Sequence, residues 1–128
     1  MGRVVLHAAR RPFRQIIGVE VSPALTEVAK ENRDAYRGPR ACRDLRLVRA
    51  DATTFALPRG DLVVYLYNPF DATVLGSILD RLAARAGDAA IVYHTPVHAD
   101  AIDGRPDFVP VADLGIGRIW RVRREVGP

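Results

Sequence analysis

The sequence predicts an α/β fold: a mostly parallel sheet that ends in an antiparallel hairpin. Three observations predict it. Short apolar or β-branched runs recur at residues 16–21, 45–50, 62–67 and 89–93. Stretches with apolar residues at helical spacing separate them, at 23–36 and 71–86. Near the end, Gly115-Ile116-Gly117 joins two more strand candidates closely enough for a hairpin. At 128 residues and 48% hydrophobic, the chain is read as one globular domain, 1–128.

The elements follow in order. Residues 3–9 (Val4, Val5, Leu6, Ala8, Ala9) have helical character, and Arg10-Arg11-Pro12 stops them because proline cannot continue a helix. Ile16-Ile17-Gly18-Val19-Glu20-Val21 reads as a buried strand. Ser22-Pro23 then supplies a helix N-cap and a favoured first helical residue. The helix runs to about Tyr36, with Leu25, Val28, Ala29 and Asn32 expected on its inner face, and Gly38-Pro39 ends it. Leu45-Arg46-Leu47-Val48-Arg49-Ala50 partly alternates, as a strand near a sheet edge does. Leu62-Val63-Val64-Tyr65-Leu66-Tyr67 is apolar throughout, which predicts a central strand covered on both faces. Val74, Leu75, Ile78, Leu79 and Leu82 mark a second amphipathic helix. A strand from Ala89 to Tyr93 follows, then a short helix within 97–103, then strands over 108–114 and 118–123.

A doubly wound domain normally opens with a strand and a glycine-rich turn before its first helix. Here the chain starts inside that helix, and only Gly2 can belong to the turn. The sequence is therefore expected to be a partial domain, incomplete at its N-terminus. A smaller, rearranged sheet is the competing explanation. A lost central strand would leave two neighbours with open hydrogen-bonding edges.

Net charge is +4, unevenly spread: residues 1–50 carry 11 basic and 5 acidic side chains, residues 51–128 carry 8 and 10. The basic half can attract an anionic partner. Eighteen of the 19 basic residues are arginine, however, which points to codon bias, and no compact basic block with interleaved aromatics appears. No apolar run reaches the ~18 residues of a membrane span. The opening Met1-Gly2-Arg3-Val4-Val5-Leu6 is not expected to be a secretory or myristoylation signal. One cysteine, Cys42, excludes an internal disulfide and is read as structural, so a cytoplasmic location is the default.

In open parallel sheets ligands bind outside the carboxyl ends of the strands. Glu20 ends the first strand and can accept from both hydroxyls of a ribose; its alternatives are a solvated strand-end carboxylate or a partner of the helix dipole. Asp51, followed by Ala52, ends the second and can accept from an exocyclic amine, or serve as an ordinary turn residue. Asn68-Pro69-Phe70 follows the 62–67 strand. Proline there can hold the asparagine toward a cleft and Phe70 offers a flat face, unless the segment is only a turn with Asp71 as N-cap. His94 and His98 are candidate bases or metal ligands, or polar loop residues; two histidines without a third ligand predict no metal site. Trp120 is read as a packing residue.

With these residues the sequence resembles the class I S-adenosylmethionine-dependent methyltransferases over nearly its whole length. Ile17-Gly18-Val19-Glu20-Val21-Ser22-Pro23 resembles that family's second strand, acidic ribose ligand and helix start. Arg49-Ala50-Asp51-Ala52 resembles the segment that contacts adenine, and Leu66-Tyr67-Asn68-Pro69-Phe70 the motif after the fourth strand. The resemblance implies a Rossmann-like fold, S-adenosylmethionine as cofactor bound by Gly2, Glu20, Asp51 and Ala52, and a methyl group facing Asn68, Pro69 and Phe70. Gly2 corresponds only to the last glycine of the family's loop. Asn68-Pro69-Phe70 carries one proline where N6-adenine and glutamine methyltransferases carry two. The methyl acceptor stays open between small molecule, protein and nucleic acid. A fragment of a nicotinamide-dependent oxidoreductase, which Glu20 fits equally well, and a non-catalytic interaction module are the alternatives.

Overall fold

A computed structural model of the chain describes residues 3–67 and 71–123. The fold is α/β, with parallel pairings and an antiparallel hairpin at its end. It divides into two compact units, Met1–Phe55 and Ala56–Pro128.

The first unit is a βαβ crossover preceded by a short helix. Helix α1 spans Arg3–Ala8, strand β1 Ile16–Glu20, helix α2 Pro23–Ala35 and strand β2 Leu45–Arg49. β1 and β2 pair in parallel, with Ile16 opposite Leu45 and Glu20 opposite Arg49. Gly18 lets α1 approach the sheet. A Cβ there would lie 2.9 Å from Leu47 Cδ2 and 3.0 Å from Val5 Cγ2. Helix α2 starts as its sequence dictates: the Ser22 hydroxyl accepts from the Leu25 N–H at 3.2 Å, and Pro23 occupies the first helical turn.

Two expectations for this unit are corrected. The inner face of α2 carries Thr26 and Ala29, whereas Leu25, Val28 and Asn32 are exposed. Thr26 can be buried because its hydroxyl donates to the Ser22 carbonyl at 2.8 Å, which satisfies the polar group locally. Strand β1 is half-buried along its length rather than fully buried. It has a described neighbour on one edge only.

The second unit contains strand β3 (Leu62–Tyr67), helix α3 (Ala72–Ala84), strand β4 (Ala89–His94), helix α4 (Ala99–Asp103), strand β5 (Phe108–Asp113) and strand β6 (Gly117–Val122). The sheet order is β3-β4-β6-β5. β3 and β4 are parallel, and β6 runs antiparallel to both β4 and β5. Asp71 caps α3 by accepting from the Val74 N–H at 2.8 Å. That helix buries Leu75, Ile78, Leu79 and Leu82, as its spacing predicts. The core also takes Ile91, Tyr93, Ile102, Phe108 and Trp120. The expectation that β3 is a central strand does not hold. It lies at the edge of its sheet, and Val63 and Tyr65 are 53% and 41% exposed on one face.

Candidate functional site

The crossover sets which residues can meet in the first unit. β1 and β2 are parallel and in register, so their carboxyl ends lie side by side. The Ala50 N–H donates to the Glu20 carbonyl at 2.9 Å, which fastens the Glu20 backbone next to the residue before Asp51. Glu20 and Asp51 thus share one end of this sheet. Arg49 is there too, with its Nε 3.5 Å from the Val21 carbonyl.

The two carboxylates differ in how far they are already used. Glu20 is half-buried, and its Oε1 accepts from the Ser22 N–H at 3.3 Å. That single long bond fixes the side chain at the helix start and leaves its second oxygen for other donors. Asp51 is exposed. Its Oδ1 accepts from the Thr53 hydroxyl at 2.7 Å and the Thr53 N–H at 2.9 Å. Those bonds, the hydroxyl first, hold the carboxyl below the usual range and keep it ionised near neutral pH. The Asp51 carbonyl also accepts from the N–H groups of Thr54 and Phe55. Asp51 is therefore a turn-forming residue, the alternative its sequence context allowed, with Oδ2 still available. Ala52 is half-buried in the same turn.

Gly2, Asn68, Pro69 and Phe70 lie outside the described residues. Of the others, His94 ends β4 and His98 occupies the N-cap position of α4 without a side-chain capping bond. Among the described residues no group of three His, Cys, Asp or Glu side chains is arranged to hold a metal ion. Cys42 is buried, with its Sγ 3.5 Å from the Asp44 carbonyl. No helix among the described residues is long and apolar enough to cross a membrane.

Two features of the second unit go beyond the sequence readings of Trp120 and His94. Trp120 is fully buried, and its indole N–H donates to Asp103 Oδ1 at 3.0 Å. The same carboxylate takes both terminal nitrogens of Arg118, at 2.7 and 2.9 Å, and the Arg118 guanidinium lies 4.5 Å from the centre of the Trp120 ring. Hydrogen bonds from Arg118 and then Trp120 hold the Asp103 carboxyl below its ordinary range. The second feature is an open concavity of about 400 Å³ lined by His94, Thr95, Pro96, Val97, Gly115 and Ile116. Thr95 adopts a left-handed φ of +51°, unusual for a β-branched residue, and its N–H donates to the Ile116 carbonyl at 2.9 Å.

Comparison with known proteins gives a consistent fold. No family model and no curated protein matches the sequence. Among solved structures, the chain is similar to the 23S rRNA methyltransferase ErmE, with a TM-score of 0.63 at 19% identity. That match covers 99% of this chain and 59% of ErmE, so the chain spans about three fifths of that enzyme's length. YhhF from Escherichia coli, a methyltransferase by assignment, gives 0.59 at 16% identity over 88% of this chain and 66% of its own. HI0767 from Haemophilus influenzae, assigned as a methylase, gives 0.60 at 11% identity over 93% and 79%. The chain carries a methyltransferase fold.

Proposed function

We propose that the chain is a methyltransferase domain that uses S-adenosylmethionine. The observation that carries this reading is the position of Glu20 on such a fold: at the carboxyl end of a parallel strand, half-buried, with one oxygen anchored and the other open. A carboxylate in that state accepts strong hydrogen bonds from ribose hydroxyls. Asp51 Oδ2, at the same end of the sheet, is available to an exocyclic amine. The cofactor would supply a methyl group already activated on a sulfonium. The task left to the protein is then to bind and orient, and the absence of an obvious acid–base pair is no objection. Gly2 and Ala52 would complete the binding loops, and Asn68, Pro69 and Phe70 would line the transfer path, as their resemblance implies.

Titration calorimetry tests the reading. S-adenosylmethionine should bind in preference to NAD, and Glu20→Ala should weaken it about tenfold or more through lost charge-assisted bonds, with circular dichroism checking that the variant is folded. Selective binding of NAD, or an undiminished affinity in Glu20→Ala, overturns it.

A further inference from the structure

The opposite end of the β1–β2 sheet has a different chemistry. The segments that lead into the two strands are stitched together: the N–H groups of Ala41 and Cys42 both donate to the Ala9 carbonyl, at 2.7 and 3.0 Å. The Ile16 N–H donates to the Asp44 carbonyl at 2.9 Å, and Gln15 Nε2 to Asp44 Oδ2 at 3.1 Å. Residues 9–16 and 41–44 are therefore neighbours. Residues 36–44 carry the chain from the C-terminal end of α2 to the start of β2 at this end of the sheet.

Six arginines lie on the two entering segments: Arg10, Arg11 and Arg14 on one, and Arg37, Arg40 and Arg43 on the other. None of them has a carboxylate partner among the described residues. Arg37 and Arg40 donate only to backbone carbonyls, so their charge is uncompensated. Of the three local acids, Asp34 is engaged with Arg33 and Asp44 with Arg46, and Glu31, one turn back along α2, leaves the six arginines in clear excess. Phe13, between Arg11 and Arg14, is 43% exposed. The acidic end with Glu20 and Asp51 lies a five-residue strand away, about 13 Å. That exceeds the Debye length of ~8 Å at physiological salt, so those carboxylates do little to offset the arginines.

We propose that this end of the first unit is a docking surface for single-stranded nucleic acid. The arginines would hold backbone phosphates, and the Phe13 ring would stack on a base. Guanidinium groups match phosphate oxygens in geometry, and an aromatic ring among them gives the stacking platform that a simple polyanion does not use. One ring is not the broad apolar face that a membrane-surface helix inserts. The proposal stands apart from the methyl-transfer reading, since it concerns binding at the other end of the strands.

The test uses fluorescence anisotropy of labelled single-stranded RNA and DNA of about 12 nucleotides, within the range one small domain covers. With all six arginines engaged, log K should fall with log salt at a slope of about −4. Arg11→Ala with Arg14→Ala should lower affinity roughly tenfold to fiftyfold at 50 mM salt and flatten the slope by about 1.4. Arg59→Ala with Arg121→Ala, which removes the same charge from exposed sites in the second unit, should change affinity less than threefold. Phe13→Ala should weaken binding about tenfold without changing the slope. The proposal is overturned if neither oligonucleotide binds at 50 mM salt, or if both arginine pairs lose affinity equally, which is generic charge attraction. It is also overturned if Phe13→Ala binds as before, or if anionic vesicles bind with the same arginine dependence while the oligonucleotides do not.

Discussion

Asp103→Ala should be among the more destabilising single changes in the second unit, although the residue sits partly at the surface. Its carboxylate is the acceptor for the indole N–H of Trp120, a side chain with no exposed area. A buried donor stripped of its partner costs about 1–3 kcal/mol. The paired bonds from Arg118 join side chains 23% and 38% exposed, so solvent screens them and about 0.5–1 kcal/mol is expected from that source. The sum is about 1.5–4 kcal/mol. Asp103→Asn keeps an oxygen for the indole and should lose only the ionic part, about 1 kcal/mol or less. Urea unfolding followed by far-UV circular dichroism measures both. With a slope of about 1–2 kcal/mol per molar for a chain of this size, the alanine midpoint should fall by about 0.8 M or more. A Trp120→Phe background isolates the indole bond: there Asp103→Ala should cost only the ionic part, about 0.5–1 kcal/mol, leaving about 1–3 kcal/mol of coupling. Equal costs in both backgrounds would refute the assignment. The pH dependence has a fixed sign. The folded carboxyl titrates below its unfolded value of about 3.9, so its contribution is complete above that pH and is lost as acid takes it through the lower folded value. The gap between wild type and Asp103→Asn should accordingly close below about pH 4.

Two glycines make opposite predictions under the same unfolding assay. Gly87 has a φ of +93°, and a Cβ there would come within 2.7 Å of the Gly60 carbonyl oxygen, so Gly87→Ala should cost about 2–4 kcal/mol. Gly76 lies within α3 with open space around its missing Cβ, and Gly76→Ala should stabilise by about 0.5–1 kcal/mol. A destabilising Gly76→Ala would contradict the reading of open space, and a neutral or stabilising Gly87→Ala the reading of backbone strain. Arg105 links Asp80 at 2.7 Å to Asp107 at 2.8 and 2.9 Å and lies over the Phe108 ring. Arg105→Ala should cost about 1–2 kcal/mol, and Arg105→Lys should recover only part of that because an ammonium cannot reproduce the planar fork; full recovery by lysine would rule out the geometric explanation.

The elements and their order were legible because their signals are local. Ser22-Pro23 and Asp71 sit where the chain must change from strand to helix, and each caps as its chemistry requires. Burial was less legible, because it depends on what lies opposite. Leu62 to Tyr67 is apolar at every position, yet an edge position leaves Val63 and Tyr65 in solvent. Thr26 looked polar and Leu25 apolar, but a bond to a carbonyl four residues back neutralises the hydroxyl, and the helix turns its threonine inward. The Asp103–Trp120 bond spans 17 residues and depends on α4 meeting β6, which neither local composition nor spacing encodes.

The candidate site and the basic surface have one topological cause. In a parallel βαβ unit the chain passes twice in the same direction, so the two segments that enter the strands are neighbours and the two that leave them are neighbours. Glu20 and Asp51 belong to the leaving pair. Arg10, Arg11 and Arg14 belong to one entering segment, and Arg37, Arg40 and Arg43 to the other. Counted along the sequence, these arginines are two ordinary clusters that codon bias explains. Folded once through a crossover, they come onto neighbouring segments whose own carboxylates, Asp34 and Asp44, are already paired. Base composition can account for arginine in place of lysine. It does not account for six guanidinium groups without carboxylate partners among the described residues at one end of a sheet whose other end carries Glu20 and Asp51 beside Arg49. That separation of charge is a property of the fold, and it is the reason the two ends are assigned different ligands.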